Sequence, residues 1–317
     1  MVAAPHPVPL PAGGERERAE DSPATPSPRG RGEDWGEGLS AAAATHDTLC
    51  ETLAQSAAAI LEAAEPARKV ALSRALAARW RAGDMAVGRA TPPQRPARPE
   101  HPVLRPPRDM PRRRNFGAPA GRIALLHALA HIELNAIDLA WDIVARFSDT
   151  GMPCAFFDDW LGVAAEEAEH FALLASRLDA LGSVYGALPA HDGLWEAAAA
   201  TAHDLIARLA IVPLVLEARG LDVTPEMILR LERAGDGESA AILARIYRDE
   251  IGHVAVGLRW FHRLCHEHGL DPEAAFHDRV RRYFGGALKP PFNREGRDKA
   301  GFPAAYYEKL TCATVAS

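Results

Sequence analysis

The sequence predicts an all-α protein built on a four-helix bundle, and three observations carry that expectation. Alanine is abundant and aromatic residues make up only 7% of the 317-residue chain, a composition that favours helix over sheet. Apolar residues recur at helical spacing over long stretches bounded by Gly and Pro. Four of these apolar stripes are each interrupted by one glutamate: Glu133, Glu167, Glu217 and Glu250. Glu133 stands 34 residues before Glu167 (167 − 133) and Glu217 stands 33 before Glu250 (250 − 217). A helical hairpin used twice would give this repeat.

Residues 1–38 are rich in Pro, Gly, Arg and Glu and hold almost no large apolar side chains, which reads as a disordered tail. Residues 39–84 carry two amphipathic patterns, Leu49, Leu53, Ile60, Leu61 and then Val70, Leu72, Leu76, Trp80. Pro66 divides them as a helix-starting residue, so an N-terminal helical hairpin is expected. Residues 85–120 hold many prolines and the basic residues Arg95, Arg98, Arg105, Arg108, Arg112, Arg113 and Arg114; the proline spacing forbids regular helix and predicts an extended wrapping segment.

The bundle is expected over residues 121–285. Its first helix runs from Gly121 to Phe147 and its second from Cys154 to Leu181, stopping at Gly182. The third runs from Leu194 to Arg219, with Pro213 bending it and Gly220 ending it as a C-cap glycine. Thr224-Pro225 reads as the start of a further short helix. The fourth helix follows Asp236-Gly237 and ends near His268, and Asp271-Pro272 opens an extra C-terminal helix. Residues 286–317, with Lys289-Pro290-Pro291-Phe292-Asn293, should lie as a tail over the bundle.

Two of the four glutamates are followed one helical turn on by a histidine: Glu167-Ala168-Glu169-His170 and Glu250-Ile251-Gly252-His253. Residues three apart share a helix face, and the face is otherwise apolar. A carboxylate in a core stripe is costly unless something compensates it, and four together repel one another strongly. Metal is the economical partner. The order Glu, Glu-x-x-His, Glu, Glu-x-x-His is the ligand set of ferritin-like di-iron and di-manganese carboxylate bundles. The candidate ligands are therefore Glu133, Glu167, His170, Glu217, Glu250 and His253, with Glu167 and Glu250 as bridges. The bland alternative is a set of protonated or salt-bridged core carboxylates beside ordinary core histidines. Glu166 and Asp249, one position before the motif glutamates, lie about 100° round their helices and face the neighbouring helix. They are expected to form a crossed outer shell, Asp249 with His170 and Glu166 with His253.

Other polar residues read differently. His131 points about 200° away from Glu133 and suits packing rather than ligation, and His127 stands on the same helix. His191 falls in a loop and stays outside the site. Tyr247, one turn before Glu250, is read as a core tyrosine, with a redox-active phenol as the alternative. The arginines of the 95–114 segment would either face an anion or RNA, or belong to a solvated linker paired with surface acids; the linker is the simpler reading. The net charge of −6 argues against a protein coated in nucleic acid. Cys50, Cys154, Cys265 and Cys312 form no C-x-x-C pair, which fits a reducing cytosol better than a disulfide framework. No uninterrupted run of about 18 apolar residues marks a membrane span, and the first residues lack a signal-peptide pattern.

The chain resembles the bacterial ferritin-like family catalogued as domain of unknown function 455. The resemblance spans roughly residues 85–310 and rests on His127-Ala128-Leu129-Ala130-His131-Ile132-Glu133, Glu166-Glu167-Ala168-Glu169-His170-Phe171, Pro189-Ala190-His191-Asp192-Gly193-Leu194-Trp195, Leu216-Glu217-Ala218-Arg219-Gly220-Leu221, Arg248-Asp249-Glu250-Ile251-Gly252-His253 and Pro291-Phe292-Asn293. The ligand order is similar, more distantly, to a tRNA-hydroxylating di-iron enzyme. By fold-level analogy this implies two metal ions, iron first and manganese second. It also implies an O2-activating oxygenase or hydroxylase that works with an organic substrate and an electron donor. The competing readings are a ferroxidase or iron store and a binding module without redox turnover.

Overall fold

A computed structural model of the chain describes residues 50–83, 85–110 and 116–311. The expected tail at 1–38, the arginines Arg112, Arg113 and Arg114, and Cys312 lie outside the described residues. Within them the protein is all-α, with isolated β-bridges and no strand.

The N-terminal hairpin is α1 (Leu53–Glu62) and α2 (Pro66–Arg81). It leads through an extended segment with one 3-10 turn, Pro107–Asp109, into the bundle. There α3 (Pro119–Arg146) pairs with α4 (Cys154–Ala180). The second half contains α5 (Gly193–Ala200), α6 (Leu205–Ile211), a π-helical turn Val212–Glu217, α7 (Ala218–Arg233) and α8 (Gly237–Glu267). The chain closes with α9 (Pro272–Arg279), a second π turn Val280–Phe284, α10 (Arg294–Lys299) and α11 (Ala304–Glu308). α7 pairs with α8, and α4 packs on α8, so the two Glu-x-x-His helices lie side by side. α1 lies on α3 and α2 on α4. By length and hydropathy α3 matches a membrane-crossing helix, yet 72% of its most apolar stretch is buried inside the bundle.

Three expectations about the third helix are corrected. It is not continuous from Leu194. The helix breaks after Ala200, where Asp204 accepts from Ala207 N at 3.0 Å to start α6 and Arg208 Nη2 donates to the Ala198 carbonyl at 2.7 Å. Gly220 does not end it, because Gly220 keeps an ordinary negative φ and the helix runs on to Arg233. Thr224-Pro225 starts no new helix, since Pro225 is interior. A proline there leaves the carbonyl four residues earlier without its helical donor. Asn293 Nδ2 takes that place, donating to the Leu221 carbonyl at 3.0 Å. The C-terminal segment thus supplies the missing hydrogen bond, which makes it part of the bundle rather than a tail.

Pro213 has the disrupting effect expected of it, in the form of the π turn. It fits because Gly257 on α8 faces it: a Cβ on Gly257 would stand 2.4 Å from Pro213 Cβ and Cγ. The π turn ends on Glu217 and so sets where that carboxylate enters the core.

The wrapping segment is also more than a solvated linker. Arg98 Nη1 lies 2.8 Å from Asp138 Oδ2 and its Nη2 donates to Asn135 Oδ1 at 2.6 Å. Asp138 is fully buried, so the acid that Arg98 meets is not on the surface.

Candidate metal centre

The structure brings the sequence-predicted residues together in the middle of the bundle. α3 contributes Glu133, α4 contributes Glu167 and His170, the π turn contributes Glu217, and α8 contributes Glu250 and His253. Ligand atoms of Glu133, Glu167, His170 and Glu250 all lie within 4.8 Å of one another. His170 Nδ1 is 3.2 Å from Glu167 Oε2 and 3.4 Å from Glu133 Oε2. His253 Nδ1 is 3.0 Å from Glu167 Oε1 and 3.7 Å from Glu250 Oε2. Glu167 therefore sits between the two histidines, one oxygen toward each ring. The rings are 5.8 Å apart, centroid to centroid.

The far nitrogens of both rings are held by the residues preceding the motif glutamates. His170 Nε2 meets Asp249 Oδ2 at 3.0 Å and His253 Nε2 meets Glu166 Oε2 at 2.8 Å. Each pair crosses between α4 and α8, as the helix geometry predicts. A carboxylate only accepts, so each Nε2 carries a hydrogen; His170 Nδ1 faces a carboxylate as well, Glu167 Oε2 at 3.2 Å, and a proton on Nδ1 would have to leave before that atom could offer a lone pair to an ion. Around His170 the arrangement extends further, because Arg245 approaches both Asp249 and Glu169, and Arg74 bonds Glu169.

Several atoms at the centre have no hydrogen-bond partner although they are buried: Glu133 Oε2, Glu167 Oε1, Glu217 Oε2, Glu250 Oε2 and His253 Nδ1. Glu167 Oε1 and His253 Nδ1 are close but not aligned for a hydrogen bond. Glu133, Glu167, His170 and His253 are almost wholly buried, whereas Glu217 is partly open and Glu250 is 13% exposed apart from its buried Oε2.

Charge in this site is strained without a cation. Burial, then the neighbouring Glu167, pushes the Glu133 carboxyl up to about 8 from its ordinary 4.5. Burial likewise lifts Glu217 to about 7 and Glu250 well above its usual range. Glu167 goes the other way. Burial opposes its ionisation, but His253 and His170 hold it well below the usual carboxylate range. Against the opposing effect of burial, Glu133 and Glu167 raise His170 to about 11, and Glu167 and Glu166 raise His253. The metal-free centre is thus a proton-loaded cluster in which three of four carboxyls resist ionisation.

Two further buried carboxylates on α3 show what an ordinary solution looks like. Asp138 meets Lys69 Nζ at 2.5 Å and Arg98; Asp142 meets Arg208 Nη1 at 2.5 Å and Arg146 at 2.6 Å. None of the four central glutamates makes an ion pair with Lys or Arg among the described residues. Sequence reading missed Asp138 and Asp142. They interrupt the same apolar helix, and the missing signal was Lys69 within the α2 pattern and Arg208 within α6. The structure places His127, His131 and Tyr247 outside the centre. His131 bonds Tyr185 and the His191 carbonyl, and Tyr247 Oη accepts from Asn293 Nδ2 at 2.9 Å.

Fold and site define the class: an all-α bundle protein whose core holds a glutamate–histidine cluster able to accept a metal ion. The chain belongs to the family described as protein of unknown function (DUF455), whose model matches residues 62–308. An uncharacterized protein of Haemophilus influenzae is 46% identical over 209 residues, covering 64% of this chain and 72% of that protein. No solved structure matches the chain.

Proposed function

We propose that the centre binds two divalent metal ions, iron first and manganese second, and that the protein is an O2-activating oxidoreductase of ferritin-like type. The observation that carries the reading is the set of buried acceptor atoms that converge without any hydrogen-bond or Lys/Arg partner. An ion would supply the missing positive charge, and the donor set of carboxylates and imidazoles suits iron or manganese. Glu133 and His170 would hold one ion, Glu217 and His253 the other. Glu167 and Glu250 would be shared, since Glu167 already lies between both rings. Asp249 and Glu166 fix the rings and keep their protons on Nε2.

Such a metal pair, when bound, supplies the electrons for reducing O2, and the protein's part is to fix the ligands and exclude water. The packing around Glu133, Glu167, His170 and His253 does the excluding. Glu217 and Glu250 mark the less covered side, where a reactant would approach. The reaction is read as oxygenation or hydroxylation of an organic substrate, with an external electron donor. Cys154 and Cys265 form no disulfide among the described residues, which suits a reducing cytosol.

Iron storage is the second reading. Against it, α1 packs on α3 and α2 on α4, additions to the four bundle helices that would obstruct compact cage assembly. Metal analysis of the purified protein, followed by an optical spectrum on adding O2 to the ferrous form, separates the two. About two ions per chain with a transient, turnover-linked absorbance supports the oxidoreductase. A growing ferric core supports storage, and absence of bound metal overturns both.

A further inference from the structure

The six central side chains do not form two equal halves. In the half built on His170, ligand atoms of Glu133, Glu167, His170 and Glu250 already lie within 4.8 Å of one another. His170 Nδ1 stands 3.2 Å from Glu167 and 3.4 Å from Glu133. In the half built on His253, Nδ1 stands 3.0 Å from Glu167 and 3.7 Å from Glu250. The carboxylate particular to that half, Glu217, forms no ion pair with either histidine among the described residues, and its Oε2 is buried without a hydrogen-bond partner.

The backbone beneath the two halves differs in the same sense. Glu133 sits in the middle of α3 and is 3% exposed. Glu217 is the last residue of the π turn, where the regular helical ladder is interrupted, and it is partly open. Gly252, directly before His253, is an exposed glycine inside α8 with open space where a Cβ would stand. Packing does not require glycine there, and glycine weakens a helix relative to alanine.

The outer carboxylates repeat the contrast. Asp249, which holds His170, is 28% exposed and is approached by Arg245. Arg245 also approaches Glu169, which bonds Arg74 at 2.6 Å. Glu166, which holds His253, is 54% exposed, and that histidine is its one ion-pair partner among the described residues. Keeping a long exposed side chain in one geometry costs rotamer entropy, so Glu166 fixes its ring less firmly than Asp249 does.

Binding is tightest where the groups need not be ordered to meet the ligand. We propose that the two halves take metal unequally and in order. Glu133 and His170, with Glu167 and Glu250, hold the first ion. Glu217 and His253 complete the site for a second, weaker and exchangeable ion. This rests on the two-ion reading above and adds a control to it. At limiting metal the protein holds one ion, and filling of the Glu217 half, on the less covered side, completes the pair. The two dissociation constants should differ roughly 10- to 100-fold, the range over which outer carboxylates tune metal affinity.

The test is titration of the full chain, freed of metal, with Mn2+, followed by electron paramagnetic resonance and by competition with a calibrated chelating dye. The first equivalent should give the signal of an isolated bound ion, and the second should replace it with that of a spin-coupled pair. Glu217→Ala should keep the first step at native affinity and lose the second. Glu166→Gln should widen the gap between the steps, and Asp249→Asn should narrow it. A coupled-pair signal from the first addition onward, two steps of equal affinity, or a first step weakened by Glu217→Ala would overturn the proposal and leave the two-ion reading standing. One ion per chain at saturating Mn2+ would overturn both.

Discussion

Asp249 on α8 reaches across to α4 and holds His170, Oδ2 to Nε2, at 3.0 Å. With 28% of its side chain exposed it is no ligand to the centre, yet it fixes which nitrogen of His170 faces inward. Glu166 does the same for His253 from the other helix. Asp249→Asn keeps the shape and loses the charge. It should weaken metal affinity roughly 10- to 100-fold, read by competition with a calibrated chelator, and Glu166→Gln should act in the same range through His253. Native affinity in both variants would show that these carboxylates do not tune the rings.

Glu167 carries the sharing assignment, since its two oxygens contact different histidines. Glu167→Ala should remove more than one ion per chain, whereas Glu217→Ala should remove about one. Elemental analysis after dialysis against a weak chelator distinguishes them. Equal losses would defeat the bridging role.

Metal removal should have a pH-dependent cost. In the metal-free fold Glu133 titrates near 8 and Glu217 near 7, both above the ordinary 4.5 of the unfolded chain. Between about pH 4.5 and 8 the folded metal-free chain therefore binds more protons than the unfolded one, and its stability falls as pH rises through that window. His170 and His253, also raised, push the same way. Glu167, held low, contributes only at more acid pH. Metal replaces those protons, so its stabilisation grows with pH. The melting-temperature gap between loaded and chelated protein should widen from about pH 5.5 to about pH 8. A gap that is constant or narrows would place the carboxyls outside the binding event.

Gly257 leaves room for Pro213 at the π turn. A methyl group there would stand 2.4 Å from a rigid ring. Gly257→Ala should destabilise by about 1–3 kcal/mol, the usual cost of overpacking, despite alanine's better helix propensity. Urea unfolding measures this. A neutral or stabilising result would show that the π turn can shift freely.

Asn293 donates both to the Leu221 carbonyl freed by Pro225 and to Tyr247. Asn293→Ala should cost about 1–3 kcal/mol through an unsatisfied buried carbonyl. Restoring the missing N–H with Pro225→Ala in the same chain should recover part of that loss. Strict additivity of the two changes would count against the coupling.

The sequence alone determined the all-α class, the helical hairpin at the start, the limits of α3, α4 and α8 to within a few residues, and the six central side chains. It also determined which residue would meet each histidine from across the bundle. These were readable because they depend on helical periodicity: residues three apart share a face, and a residue one position back turns about 100° toward the neighbour. Tertiary structure decided the rest. Gly220 and Thr224-Pro225 carry the local signals of a helix end and a helix start, yet the helix continues because Asn293, some seventy residues on, replaces the bond that Pro225 cannot make. Arg98 carries the signal of a solvated linker, yet it seats against buried Asp138 because α2 and α3 bring Lys69 and that carboxylate to the same place. Glu133 and Asp138 look alike in sequence, each an acid in an apolar helix. What separates them is which partner packing delivers: a cation for Asp138, and for Glu133 only other carboxylates and a histidine. Local pattern fixes the direction a side chain points along its own helix, and only long-range packing fixes what it meets there.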